Sequence, residues 1–379
     1  MGQAGNDAVT NDGVTPGEAR PATGREDVKA RSDPPAGELE IIGSLPRPGR
    51  VVCFGEAMVR LTPPGNDRLE RVVSLGVTAG GAELNTAVAL RCLGVPAAWV
   101  SVLPDTALGR LIARQARAAD VDCLWVRWVP EAGGRTGVYF LEEGVDPRPS
   151  SVTYDRAGSA MARLAGGPFA WETILAGASA LHVSGITPAL GPECRAEAER
   201  AMRTGREAGV IVAFDLNYRS KLWTEEEARA CFQTLAPLAT VLFASKGGLR
   251  TFFGIEGNRE EVLRQARSRI GCDAIVMTRK KNRGSRGIAL SSQAIGPDDA
   301  IAASPWRETE IVDRLGGGDA FAAGFLAGYL EDRADLARAC ALGTAAAALK
   351  HTMPGDFLAA TRAEVEAVLK AGEGGVLQR

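Results

Sequence analysis

Histidine and tyrosine are scarce in this chain: two His and four Tyr among 379 residues. With only His182 and His351 available, a His-rich metal centre has too few ligands, and no metal-ligating residues are expected. The seven cysteines (Cys53, Cys92, Cys123, Cys194, Cys231, Cys272 and Cys340) are odd in number and never form a C-x-x-C pair. That pattern argues against a disulfide framework and a zinc knuckle and fits a reducing compartment, so a cytoplasmic protein is expected. Most sit in apolar runs such as Val51-Val52-Cys53-Phe54, where a thiol behaves as a small core residue. No apolar run approaches the roughly 18 residues that a membrane-spanning helix needs. No Lys/Arg block occurs either. The 44 basic and 46 acidic residues leave a formal charge of −2, which gives no electrostatic footprint for nucleic acid.

What is present is ample apolar content, 45%, enough for a sizeable core. The length allows two or three small domains or one large α/β domain with an insertion. Residues 1–48 contain no aromatic residue and are rich in Gly, Pro, Ala, Asp and Arg, so they are expected to form a disordered extension. They also lack the apolar core of a secretory signal.

From Arg50 onward, strand-like and helix-like segments alternate. Strands are expected at Val51–Phe54, Ala97–Leu103, Leu181–Val183, Val210–Phe214, Val241–Phe243 and Ala274–Met277. Helices are expected at Ala82–Leu93, with Gly94 as a stop, at Leu108–Ala119 and at Glu225–Leu235. Such spacing predicts an α/β domain over residues 49–379, its mostly parallel sheet covered on both faces. Arg68–Thr78 and Arg135–Tyr154 alternate without helical partners. They are expected to be antiparallel strands of a small second sheet, within about residues 60–78 and 125–157, placed as a lid over a ligand crevice.

Four segments carry chemistry. In Asp313-Arg314-Leu315-Gly316-Gly317-Gly318-Asp319, three glycines lead into an Ala/Gly-rich helical stretch, Ala320–Leu330. Bare N–H groups at a helix start make an anion site suited to phosphoryl oxygens. An aspartate there would repel a bound phosphate, which makes sense if it takes the proton of a hydroxyl attacking that phosphate. By spacing alone, Asp319 reads more readily as an N-cap after a flexible loop. Gly80-Gly81 and Asn85 begin another helix, where a sugar-like ligand would lie against bare backbone and meet the Asn85 amide. A tight strand-to-helix turn explains the same residues. Asp215-Leu216-Asn217-Tyr218-Arg219 follows a strand at its carboxyl end, where open α/β sheets bind ligands. Arg219 there suits a carboxylate or phosphate, or a surface ion pair. Tyr139, Tyr154 and Arg156 form a candidate receptor for a small anion, or the core of the small sheet.

Together these segments resemble the ribokinase-like (PfkB-type) carbohydrate kinases from about Arg50 to the C-terminus. Asp313 to Asp319 resembles the family's C-terminal signature, and Gly80-Gly81 with Asn85 its N-terminal sugar-binding motif. Phe54-Gly55-Glu56, Tyr154-Asp155-Arg156-Ala157-Gly158-Ser159-Ala160, Ser184-Gly185-Ile186-Thr187-Pro188 and Pro354-Gly355-Asp356-Phe357 are most similar to 2-dehydro-3-deoxygluconate kinases. The resemblance implies a three-layer α/β/α fold with a small β lid, and transfer of the γ-phosphoryl of ATP, with Mg²⁺, to the terminal hydroxyl of a sugar acid. It implies Asp319 as base and Gly316, Gly317 and Gly318 as an anion hole. Gly81, Asn85, Tyr139, Tyr154, Arg156, Arg219 and Asp356 would line the sugar-acid site. Asn217, Arg219, Arg279, Gly284, Gly316 and Gly318 would face the nucleotide, with the rest of the basic run Thr278–Gly287 as a solvated loop. A homodimer or higher homo-oligomer is implied as well.

Two segments depart from the family: Thr278–Gly287 is more basic than a simple Lys-Gly-Gly turn, and another follows the strand Val241–Phe243. Ala244-Ser245-Lys246-Gly247-Gly248 stands where related kinases carry an Asn and a Glu that organise magnesium. A kinase for a neutral sugar such as fructose or ribose, and a silent sugar-acid or nucleotide sensor on the same fold, are the competing readings.

Overall fold

Four consecutive apolar residues, Val51 to Phe54, are all buried, and a strand without polar alternation needs cover on both faces. They form β1 (Val51–Phe54) within a ten-stranded sheet of the computed structural model, which describes residues 49–284 and 286–370. The extension expected at residues 1–48 lies outside the described residues. The chain continues through β2 (Met58–Thr62), β3 (Gly76–Gly80), α1 (Ala82–Cys92), β4 (Ala97–Pro104), α2 (Ala107–Ala118) and β5 (Val126–Val129). Next come β6 (Val138–Glu142), β7 (Ser151–Asp155), α3 (Trp171–Leu175), β8 (Ala180–Ser184), α4 (Pro192–Glu207) and β9 (Ile211–Asp215). They are followed by α5 (Glu225–Leu235), β10 (Val241–Ala244), α6 (Lys246–Phe253), α7 (Arg259–Ile270), β11 (Ala274–Asn282) and β12 (Gly287–Ile295). The last elements are β13 (Ile301–Ala303), β14 (Arg307–Glu310), α8 (Gly317–Glu331), α9 (Leu336–His351) and α10 (Arg362–Lys370).

The large sheet runs β13-β12-β11-β10-β9-β8-β1-β4-β5, with β14 on β12. Every pairing from β11 through β5 is parallel; β12, β13 and β14 add an antiparallel edge. Helices α1, α2, α8 and α9 pack one face, and α4, α5, α6 and α7 the other. Because β1 lies between β4 and β8, the strand order reverses there. Such a switch point opens a crevice at the carboxyl ends of the strands. No helix among the described residues is long and apolar enough to cross a membrane.

Helices α8 and α9 bring the Gly-rich turn to that crevice. A Cβ on Gly324 would lie 2.7 Å from the Leu342 carbonyl, and one on Gly328 2.8 Å from Ala339 Cα. Side chains would force the two helices apart, so glycine permits their close approach and holds the start of α8 at the crevice.

The small sheet, ordered β3-β2-β6-β7, differs from the expectation in three ways. Its strand near residue 70 is confined to Gly76–Gly80, and residues 68–75 form a turn-rich connection. Met58–Thr62, at the start of the range expected for the small sheet but before the alternating segment Arg68–Thr78, supplies a strand, and β2 pairs with β6 in parallel. Val126–Val129 joins the large sheet beside β4. The missed strand carries Arg60 in its centre, only 2% exposed, and a buried arginine disguises a strand until its partners are known.

Candidate active site

A cavity of about 950 Å³ opens at the carboxyl ends of the strands, against the small sheet. Gly81, Asn85, Tyr139, Tyr154, Arg156, Arg219 and Asp356 all line it, together with Gly316 and Asp319. Seven residues spread over about 275 positions of sequence thus meet in one space.

Asp319 sits in the first turn of α8, after Gly316 in the left-handed region at φ 75°. The Asn85 amide, from the first turn of α1, donates to Asp319 Oδ2 at 2.7 Å and reaches Asp356 Oδ2 at 3.5 Å. Its own Oδ1 accepts from the Gly81 backbone N–H at 3.2 Å, which fixes the side chain's orientation. Asn85 therefore holds the aspartate. Burial pushes the Asp319 carboxyl up to about 7; the Asn85 bond and Arg219 oppose this, and Asp215 and Asp356 add to it.

The opposite wall is aromatic and cationic. Tyr139 and Tyr154 face each other across β6 and β7 with ring centroids 5.8 Å apart. The Arg156 guanidinium lies 5.8 Å and the Lys221 ammonium 5.9 Å from the Tyr154 ring, within cation–π range. Lys221, absent from the motif reading, also donates to the Val152 carbonyl at 2.9 Å and ties the segment after β9 to β7. The Tyr139 hydroxyl is buried beside the Asp356 carboxylate. Burial first, then the Asp356 charge, drives its ionisation far upward, so it stays a hydroxyl. A buried hydroxyl facing the cavity is a group that a polyhydroxylated ligand would bond.

Arg156 is not free. It pairs with Glu56, which is 4% exposed and also accepts from the Ser159 hydroxyl. The bare expectation of a carboxylate receptor is thereby modified: one edge of the guanidinium is committed to Glu56.

Behind the site lies a charge network that motif spacing did not reveal. Arg60, from β2, donates to Asp356 Oδ1 at 2.7 Å and contacts Asp313 Oδ2 at 2.6 Å. Asp313 in turn accepts from the N–H groups of Leu315 at 2.9 Å and Gly355 at 3.0 Å. One buried cation on the small sheet thus fixes both the start of the Gly-rich turn and a wall of the cavity. Lys350, fully buried, donates to the Met353 carbonyl at 3.1 Å and packs against Gly316.

A smaller cavity of about 370 Å³ adjoins the other side of the α8 start. Gly318, Asn217, Asp215, Glu225, Thr278, Gly247 and Gly248 are among its lining residues. Ser245 caps α6, accepting from the Gly248 N–H at 2.9 Å, so the divergent segment leaves small residues and open space where the family resemblance implied Asn and Glu. Asn217 is at φ 31° and its N–H donates to Asp215 Oδ1 at 3.1 Å, which keeps it in this wall. Gly317 is buried against the His351 ring and lines neither cavity.

Two expected nucleotide residues are not brought to the site. Strand β11 extends to Asn282, beyond the expected end at Met277, and its alternation turns Arg279 away to stack on Trp306 at 4.6 Å. Gly284 lies in the exposed β11–β12 turn at φ 78° and lines neither cavity.

Residues 49–360 match the pfkB family carbohydrate kinases. The chain belongs to this family. The pfkB kinase is 39% identical over 326 residues to a 2-dehydro-3-deoxygalactonokinase of Haloferax volcanii, a match spanning 86% of this chain and 98% of that one. It is 29% identical over 310 residues to a 2-dehydro-3-deoxygluconokinase of Bacillus subtilis, covering 81% of this chain and 90% of the other. Among solved structures, a 2-dehydro-3-deoxygluconokinase of Thermotoga maritima superposes with a TM-score of 0.80 at 36% identity, covering 86% of the pfkB kinase and 99% of its neighbour.

Proposed function

We propose that this pfkB kinase transfers the γ-phosphoryl of ATP to the terminal hydroxyl of a 2-dehydro-3-deoxyhexonate, giving the 6-phosphate. One observation carries the reading: a continuous run of contacts across the larger cavity. It passes from Asp319 to Asn85 at 2.7 Å, on to Asp356 and Tyr139, then to Tyr154 with Arg156 and Lys221 about its ring. A base at one end and cations at the other match a linear sugar acid whose hydroxyl reacts and whose carboxylate is held. The names of the Haloferax, Bacillus and Thermotoga relatives support the same substrate class.

In this reading the hydroxyl oxygen attacks the γ-phosphorus while its proton passes to Asp319. The new O–P bond forms as the bond to the ADP oxygen breaks. A carboxylate poised at about 7 suits that work near neutral pH. Backbone N–H groups at the start of α8, at Gly316 on the larger cavity and Gly318 on the smaller, would face the developing phosphoryl charge, while Gly317, expected in the same anion hole, packs on His351 instead. Magnesium fits as a companion of the phosphates, neutralising their charge. Asp215 and Glu225 face the smaller cavity, and no group of three or more His, Cys, Asp or Glu side chains gathers into a cage among the described residues.

The test is Mg-ATP-dependent ADP release with 2-dehydro-3-deoxygluconate, its galactonate epimer, fructose and ribose, using Asp319→Asn as the blank. Turnover confined to the keto-deoxy acids is the expected result. Turnover with fructose or ribose alone would discard the acid reading.

The Glu56–Arg156 pair favours a second reading, a neutral sugar, because Glu56 already balances the arginine. The double variant Glu56→Gln/Arg156→Gln separates the two without stranding a buried charge. For the keto-deoxy acid we expect KM to rise about tenfold or more, the worth of a charged hydrogen bond, with kcat little changed. A KM equal to that of the unaltered enzyme would support the neutral sugar.

A further inference from the structure

Helix α9 ends at His351, a buried residue with no part in the reaction as written above. Its ring is fixed from two sides. Nδ1 lies 2.6 Å from the Ala347 carbonyl one turn earlier, and a carbonyl only accepts, so Nδ1 carries the proton. Burial pushes the ring's pKa down and keeps it neutral. The other side meets the Gly-rich turn. A Cβ on Gly317 would fall 2.3 Å from Cε1, 2.9 Å from Nδ1 and 3.1 Å from Nε2 of His351. The three nearest atoms all belong to this one ring, so the Gly317 backbone rests directly on the imidazole.

The end of α9 holds the same turn by its main chain. The His351 carbonyl accepts from the N–H groups of Val312 at 2.7 Å and Asp313 at 3.1 Å. The Lys350 stem packs on Gly316, where an added Cβ would lie 3.2 Å from Cε. Gly316 lines the larger cavity and Gly318 the smaller, while Gly317 between them turns inward to the ring. Peptide planes are rigid, so any shift of Gly317 passes to both neighbours. Asp319 follows in the same first turn of α8.

We propose that His351 is a positioning residue for phosphoryl transfer: its ring is the seat that sets Gly317, and so aims the flanking N–H groups and Asp319 at the reacting phosphoryl. This role rests on the kinase reading above, whichever sugar is the acceptor. His351 lines neither cavity and acts only through the turn.

A double-variant cycle tests it: His351→Ala, Gly317→Ala and the two together, read in kcat, in KM for ATP and sugar, and in melting temperature. Gly317→Ala should lower kcat by about 10², the cost of an ångström of misplacement, and His351→Ala by about tenfold. Neither KM should move more than about threefold, because substrates still bind while the reacting groups are misaimed. The pair should turn over about tenfold faster than Gly317→Ala alone, since the new methyl then enters space the ring has left. His351→Asn keeps a donor for the Ala347 carbonyl but drops Cε1 and Nε2. It should melt with the unaltered enzyme and lose kcat as His351→Ala does. Losses that simply multiply in the pair would overturn the proposal, because ring and turn would then act independently. Full turnover in His351→Asn would overturn it as well, assigning the histidine to the helix end alone. If fructose or ribose is the only sugar turned over, the sugar-acid reading fails and the same cycle is read on that sugar. If none of the four is, the cycle is read in Mg-ATP-dependent ADP release with water as acceptor, where the same coupling upholds the role of His351 and its absence overturns it.

Discussion

Asp319→Asn is expected to lower kcat by roughly 10² to 10⁴, the usual worth of a general base, while leaving the affinity for sugar acid within a few-fold. The asparagine keeps the size of the side chain and a group for Asn85 to bond, so the wall of the cavity stays intact. The pH profile gives the same test independently. Asp319 must be ionised to take a proton, and its carboxyl stands at about 7. Turnover should therefore fall about tenfold per pH unit below that value and level off above it. Stability moves in the opposite sense. A carboxyl raised in the folded state costs stability as pH climbs from its unfolded value near 3.8 to about 7, and the cost is full above that. At pH 8, Asp319→Asn should melt no lower than the unaltered enzyme. A variant that melts lower would overturn the raised carboxyl, and one that keeps turnover within a few-fold would remove Asp319 from the mechanism.

Gly316→Ala should be nearly as damaging, for a different reason. The residue sits at φ 75°, where an L side chain costs roughly 1–2 kcal/mol. An added Cβ would also fall 1.9 Å from the Asp356 carbonyl oxygen, so the turn or the Asp356 segment must move. In the proposed mechanism the turn supplies N–H groups to the phosphoryl, so its displacement should cost about 10² to 10³ in kcat, comparable to losing an oxyanion-hole donor. Gly318→Ala makes the contrast. A Cβ there meets nothing within 4 Å, so its melting temperature should match the unaltered enzyme, and any loss of activity would report contact with the nucleotide. Melting curves and kinetics on both variants check this. If Gly316→Ala retained full turnover, the turn would have no part in catalysis.

The residues that carry chemistry were legible because glycine and aspartate at a helix start have few physical explanations. Gly316, Asp319, Gly81 and Asn85 all fall into one space. Asn85 was legible as a site residue, but its grip on Asp319 was not, since that bond spans 234 positions of sequence. Arg60 was hidden for the opposite reason. An arginine in a short strand reads as a solvent-facing residue, and only the convergence of Asp313 and Asp356 explains its burial. Arg279 was expected at the nucleotide, but β11 continues to Asn282 and carries Arg279 onto Trp306. Where a strand stops decides which face each later side chain takes, and a polar edge extension such as Arg279–Asn282 has no apolar pattern to mark it.

The shared carboxylate of Asp356 has a further consequence. It borders the larger cavity while its other oxygen is held by Arg60, which in turn grips the segment leading into the Gly-rich turn. Whatever sugar acid draws on Asp356 also perturbs the support of the phosphate-facing backbone. Two binding events that lean on one internal support are thermodynamically linked, and the linkage is reciprocal. The factor by which sugar acid changes affinity for nucleotide must equal the factor by which nucleotide changes affinity for sugar acid. Severing the connection at Arg60 would weaken that linkage and leave the route through Asn85, which reaches both Asp356 and Asp319.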